Sequence, residues 1–200
     1  MAALREIDVE SNRAAVKYGR SEMLRRVLWG VIGAPLFRLV PRPFFGLRAA
    51  ILRLFGAEVG KHVNIYPSAC VKMPWNLVIG DWSCIGENAY IYNLGRITVG
   101  SRVTISHRAH LCAGTHDHHK PSFPLLKPPI SIGSGAWVCA DAFVGPGVTV
   151  GEGAIVGARA VVVKNVAAGA IMAGNPARVV GLRDLDPAPA RARRLETETL

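Results

Sequence analysis

Bulky rings are scarce in this chain: aromatic residues fill 7% of its 200 positions. A core built around Phe and Trp is therefore not expected, and small aliphatics must fill the interior. Cysteine is equally sparse. Cys70, Cys84, Cys112 and Cys139 lie 14, 28 and 27 residues apart, which excludes CxxC-type metal pairs and reads as free thiols in a reducing compartment. Acidic residues are few as well: 14 Asp and Glu stand against 24 Lys and Arg, a formal charge of +10. The excess is +5 over residues 1–58 and another +5 over residues 59–181. Such a surface favours anionic partners. No helix-turn-helix or zinc-finger pattern accompanies it, so nucleic acid is not an expected partner. No apolar run reaches the roughly 20 residues of a membrane span. The longest, between Arg26 and Arg38, is interrupted by Gly30, Gly33 and Pro35. The N-terminus, MAALREIDVESNR, does not read as a secretory leader, and the expected location is cytoplasmic.

What the chain has in quantity is turn residues, 21 Gly and 13 Pro, and a period of six. Aliphatic leads recur at Val59, Ile65, Val71; Ile79, Ile85, Ile91; Val99, Ile105, Leu111; Ile132, Val138, Val144; and Val150, Val156, Val162. Four places after each lead the residue is small or aliphatic in every case but Trp75. A strict repeat of this kind is the signature of stacked coils, each covering its neighbour's apolar face. Three hexapeptides make one triangular coil, so the leads predict about five coils over residues 59–166. Two extra residues separate the first and second triplets, and two more the second and third. A longer insertion, 117–131, is rich in His and Pro and is expected to leave the prism as an excursion loop.

The flanks lack the repeat. Residues 1–58 predict a helical arm or cap, with one helix over 21–36 broken by Pro35, Pro41 and Pro43 and another over 45–55. The bland role is to cover the open first coil. Because the helices are both basic and apolar, peripheral contact with the inner face of the membrane is a compatible second role. Residues 167–182 predict an extended closing segment with a turn at Asn175-Pro176, and residues 183–200 a flexible tail.

Four stretches carry a specific likeness: residues 74–100 (PWNLVIGDWSCIGENAYIYNLGRITVG), 105–119 (ISHRAHLCAGTHDHH), 135–166 and 173–180 (AGNPARVV). Through them the chain resembles the hexapeptide-repeat acetyltransferases, the maltose, galactoside and nodulation-factor O-acetyltransferases. It is most similar in look to those of colanic-acid-type exopolysaccharide clusters. The resemblance implies an all-β fold, a left-handed parallel β-helix. It also implies a homotrimer with sites between neighbouring prisms, acetyl-CoA as cosubstrate and no metal.

The chemistry sets the residue types. A sugar hydroxyl is not ionised at pH 7, so a base must remove its proton as it attacks a thioester, and imidazole suits that task. The resemblance puts His116 in that role, with His118 and His119 close enough to compete for it or to orient acceptor or phosphate. Asp117 would orient His116 or cap the loop. The oxyanion needs a fixed donor, and the resemblance assigns the backbone N–H of Ala140. Asn93, Asp117 and Trp137 would contact the acceptor, with Trp137 walling either the sugar or the pantetheine; outward packing is the alternative for Asn93 and Trp137. Gly157 and Ala158 would lie along the pantetheine arm. Lys164 and Arg178 match positions near the nucleotide phosphates or are solvated charges, and Arg159 is a weaker candidate.

O-acetylation of a sugar or exopolysaccharide precursor is the leading expectation. N-acetylation of an amino sugar, acetylation of a xenobiotic, and a non-catalytic trimeric scaffold stay open. A γ-class carbonic anhydrase needs one His, a long gap and two His five apart, a pattern that these histidines do not follow.

Overall fold

The computed structural model describes residues 7–184. Its body is a prism with three parallel faces. The first face stacks Glu58–Val59, Leu77–Ile79, Ile97–Val99, Ile130–Ile132 and Thr149–Val150. The second stacks Asn64–Ile65, Cys84–Ile85, Thr104–Ile105, Trp137–Val138 and Ile155–Val156, and the third Cys70–Val71, Tyr90–Tyr92, His110–Cys112, Phe143–Val144 and Val161–Val162. The fold is the expected left-handed parallel β-helix. Five coils are complete, and the chain continues into a partial sixth through a bridge from Val150 to Val166 and the strand Ala170–Ala173. Strand Arg178–Leu182 then folds back antiparallel on Ala170–Ala173 and closes that end. The turn between these strands contains a cis Asn175-Pro176 bond.

All fifteen leads point inward, and none is more than 9% exposed. Each stacks on its counterpart one coil away, as in Ile65 on Ile85 and Ile85 on Ile105. The inserted residues add a column that the period did not announce. Leu77, Ile97 and Ile130 pair in register and are all buried. Burying each such side chain contributes roughly 1.5–3 kcal/mol. Corners are made by single residues in the left-handed region, among them Asn88, Arg108, Asp141 and Arg159 with φ of 55–58°.

The N-terminal region departs from expectation in two ways. A short helix, α1 (Val9–Ala14), precedes the two that the periodicity predicts; Asp8 caps it by accepting from Ser11 N–H. Pro35 does not break the following helix. α2 (Arg20–Leu28) runs through a π turn, Trp29–Gly33, into α3 (Ala34–Leu39). In the π turn the Ala34 N–H bonds the Trp29 carbonyl, five residues back. This widened register leaves Pro35, in the first turn of α3, without the bond it cannot make. The wide turn also lets Trp29, Gly33 and Phe37 face the prism together. Trp29 Nε1 donates to the Val71 carbonyl at 2.9 Å, and a Cβ on Gly33 would meet the Trp29 ring at 2.2 Å.

α4 (Phe45–Leu54) covers the first coil. Its Arg48 is fully buried and donates to four carbonyls, of Ile65, Val40, Pro41 and Arg42, at 2.5, 3.0, 2.8 and 2.6 Å. Burial lowers its pKa from the ordinary arginine value.

Candidate active site

The excursion leaves the corner between the third and first faces. Contrary to the simple loop expected from its prolines, it starts and ends as a small antiparallel ladder, Thr115 opposite Leu126 and His116 opposite Leu125. The prolines stand outside the two paired steps, so they remove no donor from it. The chain re-enters the prism at Ile130, two residues before Ile132, where the repeat was expected to resume. Gly95 makes room for the return: a Cβ there would meet the Lys127 carbonyl at 2.4 Å.

His116 is exposed on this ladder. Its Nδ1 lies 2.6 Å from the carbonyl of Phe123. A carbonyl only accepts, so Nδ1 carries the proton and Nε2 presents a lone pair. The ring borders a cavity of about 330 Å³ lined by Ile7, Asp8, Val9, Asn12 and Phe123. Apart from Phe123, that wall comes from the N-terminal segment, which the sequence did not link to the site. Asn12 Nδ2 donates to the carbonyls of Ser122 and Phe123, and Asp8 N–H donates to the Pro121 carbonyl at 3.0 Å. The Phe123 carbonyl thus receives both Asn12 and His116. No sequence period could reveal this contact, since it spans 111 residues.

Asp117 does not orient His116. Its Oδ1 accepts from the His119 N–H at 3.1 Å and its Oδ2 lies 3.8 Å from Lys120 Nζ, so it caps the loop. His118 and His119 are exposed beside each other, ring centroids 4.1 Å apart. Asn93 is placed at the same corner but has no exposed surface. Its Oδ1 accepts from Met73 N–H at 2.9 Å and Lys72 N–H at 3.1 Å, while Nδ2 donates to the Met73 carbonyl at 2.5 Å. Within one chain the amide therefore locks the corner of the preceding coil, and it is buried, not outward-facing.

The remaining candidates gather elsewhere. Ala140 and Ala158 occupy successive coils at the corner between the second and third faces, tied by Arg159 N–H to the Ala140 carbonyl at 2.9 Å. The Ala140 N–H donates to no protein atom among the described residues. The same is true of His107 and Ala158, so the open donor belongs to the corner geometry. Gly157 precedes Ala158, and a Cβ on it would meet the Met172 carbonyl at 2.7 Å. Trp137 stands half-open on the second face, its Nε1 donating to Ser106 Oγ at 2.9 Å. Lys164 is exposed beyond the third face and Arg178 on the closing strand.

An ion-pair chain along the Ala140 corner was not anticipated. Arg108 donates to both Asp141 oxygens at 2.7 and 2.9 Å, and Arg159 lies 4.0 Å from Oδ2. The bond to Arg108 holds the Asp141 carboxyl below the ordinary range. A signal existed: each of the three stands three residues after a lead. His116 and Ala140 therefore sit at different corners of one prism. Among the described residues no group of three or more His, Cys, Asp or Glu is placed to hold a metal.

Comparison with known proteins agrees with this architecture. Residues 129–164 match the bacterial transferase hexapeptide (six repeats) family. The chain is 43% identical over 153 residues to WcaF of Escherichia coli K12, which bears the name of a colanic acid biosynthesis acetyltransferase, covering 76% of this chain and 84% of WcaF. It is 37% identical over 132 residues to nodulation protein L of Rhizobium leguminosarum bv. viciae, covering 64% and 69%. Among solved structures, a maltose O-acetyltransferase from Clostridium difficile 630 shares the fold with a TM-score of 0.75 at 21% identity, over 90% of this chain and 98% of that one. A hexapeptide-repeat acetyltransferase from Vibrio cholerae, solved with acetyl coenzyme A, gives 0.76 at 22%, over 84% and 93%. With its repeat, its loop at the third coil and these relatives, the chain belongs to the hexapeptide-repeat acetyltransferases.

Proposed function

We propose that the protein transfers the acetyl group of acetyl-CoA to a hydroxyl of a sugar or exopolysaccharide precursor, in a homotrimer whose sites lie between adjacent prisms. The observation that carries this reading is the bond from His116 Nδ1 to the Phe123 carbonyl, which leaves Nε2 as the free base. In the proposed step Nε2 takes the hydroxyl proton as that oxygen attacks the thioester carbonyl carbon. The carbonyl π electrons move onto its oxygen, which the Ala140 N–H of the adjacent chain stabilises. Collapse of the intermediate breaks the C–S bond, and the imidazolium returns the proton to the leaving thiolate.

Gly157 and Ala158, one coil beyond Ala140 at the same corner, offer small residues for the pantetheine arm to lie against. Arg159, Arg178 and Lys164 offer charge to the nucleotide phosphates. Trp137, exposed beside the same corner, is offered as a wall for the acceptor. The wall of Ile7, Val9 and Phe123 beside His116 favours an acceptor that is not uniformly polar. Acetyl-CoA incubated with a panel of glycans tests the reading through release of free thiol and mass increase of the glycan. Acetylation of hydroxyl-bearing glycans is expected; transfer to amines alone, or hydrolysis without any acceptor product, would refute it.

A further inference from the structure

The N-terminal cap has an outer surface that the prism leaves uncovered. The run α2–π turn–α3 sends Trp29 and Phe37 inward. Its opposite side carries Leu24, Val27, Leu28, Val31, Ile32 and Leu39, all exposed, with Val31 70% and Leu39 77% open. Scattered apolar residues on a surface are ordinary, but a continuous row at helical spacing is not. A helix apolar on two faces is normally covered on both.

Basic residues mark both margins of this row. Arg25 borders the groove shared with Leu54, Phe55 and Trp75, and Arg26 and Arg38 border the one shared with Cys70 and Lys72. The one acidic residue of α2–α3, Glu22, faces Lys127 at 3.8 Å. We infer that this face docks the protein onto an anionic lipid bilayer, with α2–α3 lying in the interfacial plane. The aliphatic row enters the acyl boundary and Arg25 and Arg38 reach the headgroup phosphates. No described helix is long and apolar enough to cross a membrane, which agrees with lying on it. A second copy meeting this face across a two-fold axis would set the same arginines against each other. Lipid supplies the opposite charge. A trimer of parallel prisms would turn three such faces to one side, so weak single contacts would add up.

The test is co-sedimentation of the full chain with vesicles, read without substrate and so independent of the acetyl-transfer proposal. Vesicles of phosphatidylcholine are compared with vesicles containing phosphatidylglycerol, at low and high salt. The protein is expected to sediment with the anionic vesicles, and less so as salt rises. Leu24→Ser/Val27→Ser/Val31→Ser and Arg25→Gln/Arg38→Gln should each lower partitioning by about tenfold or more. These positions are exposed, so light scattering should show each variant in the wild-type oligomeric state. Absence of binding, equal binding to neutral vesicles, or binding unchanged in both variants would overturn the inference. So would dissociation of the serine variant where the wild type binds no lipid, which would make the face a contact between subunits.

Discussion

His116 combines exposure with a fixed ring, and the two properties separate in experiment. Because its side chain lies outside the core, His116→Ala is expected to fold normally and to lose about 10²–10⁴ in kcat/KM, as measured by thiol release. His116 was legible in the sequence as a histidine beside a loop departure, and its proposed role came from the resemblance. Its partner was not, because a backbone carbonyl leaves no side-chain signature. Asn12 holds that carbonyl from 111 residues away. Asn12→Ala removes donors to a carbonyl shared with His116, so kcat should fall about tenfold while the melting temperature changes by only a few degrees. Asn12→Asp should not rescue it, since a carboxylate cannot donate. Activity unchanged in Asn12→Ala would show that the arm does not set the ring. Asn93 teaches the reverse lesson. The resemblance gave it an acceptor role, while in one chain the buried amide makes three bonds to the backbone of Lys72 and Met73, a structural task that its residue type did not announce.

At the scale of elements, the coils were readable because period and burial coincide: every lead is an inward residue. Ile105→Ala, at a site with no exposed surface, should cost about 2–5 kcal/mol in chemical denaturation, whereas Thr104→Ala beside it should cost little. The helical cap was readable only in part. Proline reads as a breaker, and at Pro35 the π turn removes the reason for breaking. Within that turn Gly33 lies against both Trp29 and Phe55, and the contact with Phe55 is a tertiary fact that composition does not carry. Arg48 was equally hidden: a basic residue in a helix is ordinarily a solvent residue, yet here it gathers four carbonyls between α4 and the first coil. Arg48→Ala leaves those carbonyls unpaired and should destabilise the protein by about 3–5 kcal/mol, with the helical signal of the cap melting first in circular dichroism.

For the molecule as a whole, the third face carries a pH-sensitive element. His110 packs edge-on against Tyr90, Tyr92 and Phe143, and burial lowers its pKa from 6.5. The unfolded chain therefore takes up this proton at higher pH than the folded one. Its contribution to stability is complete above about 6.5 and declines as pH falls through that value toward the lowered one. Melting temperatures should drop between pH 7.5 and 5.5, and the drop should be smaller in His110→Phe. Assembly is the property least visible in the sequence, because the period shows how coils stack and not which face meets a neighbour. The separation of His116 from Ala140 at two corners of one prism makes assembly part of the catalytic proposal. Mixing decides it. His116→Ala removes the base, and Ala158→Trp, at an exposed corner residue, blocks the proposed pantetheine path while leaving the core intact. Each variant alone should be inactive. Unfolded, mixed in equal parts and refolded together, they should recover about a quarter of wild-type activity, the share of interfaces that pair two unaltered halves. No recovery from properly assembled mixed oligomers, or full activity in His116→Ala alone, would contradict a site built from His116 of one chain and the Ala140 corner of the next.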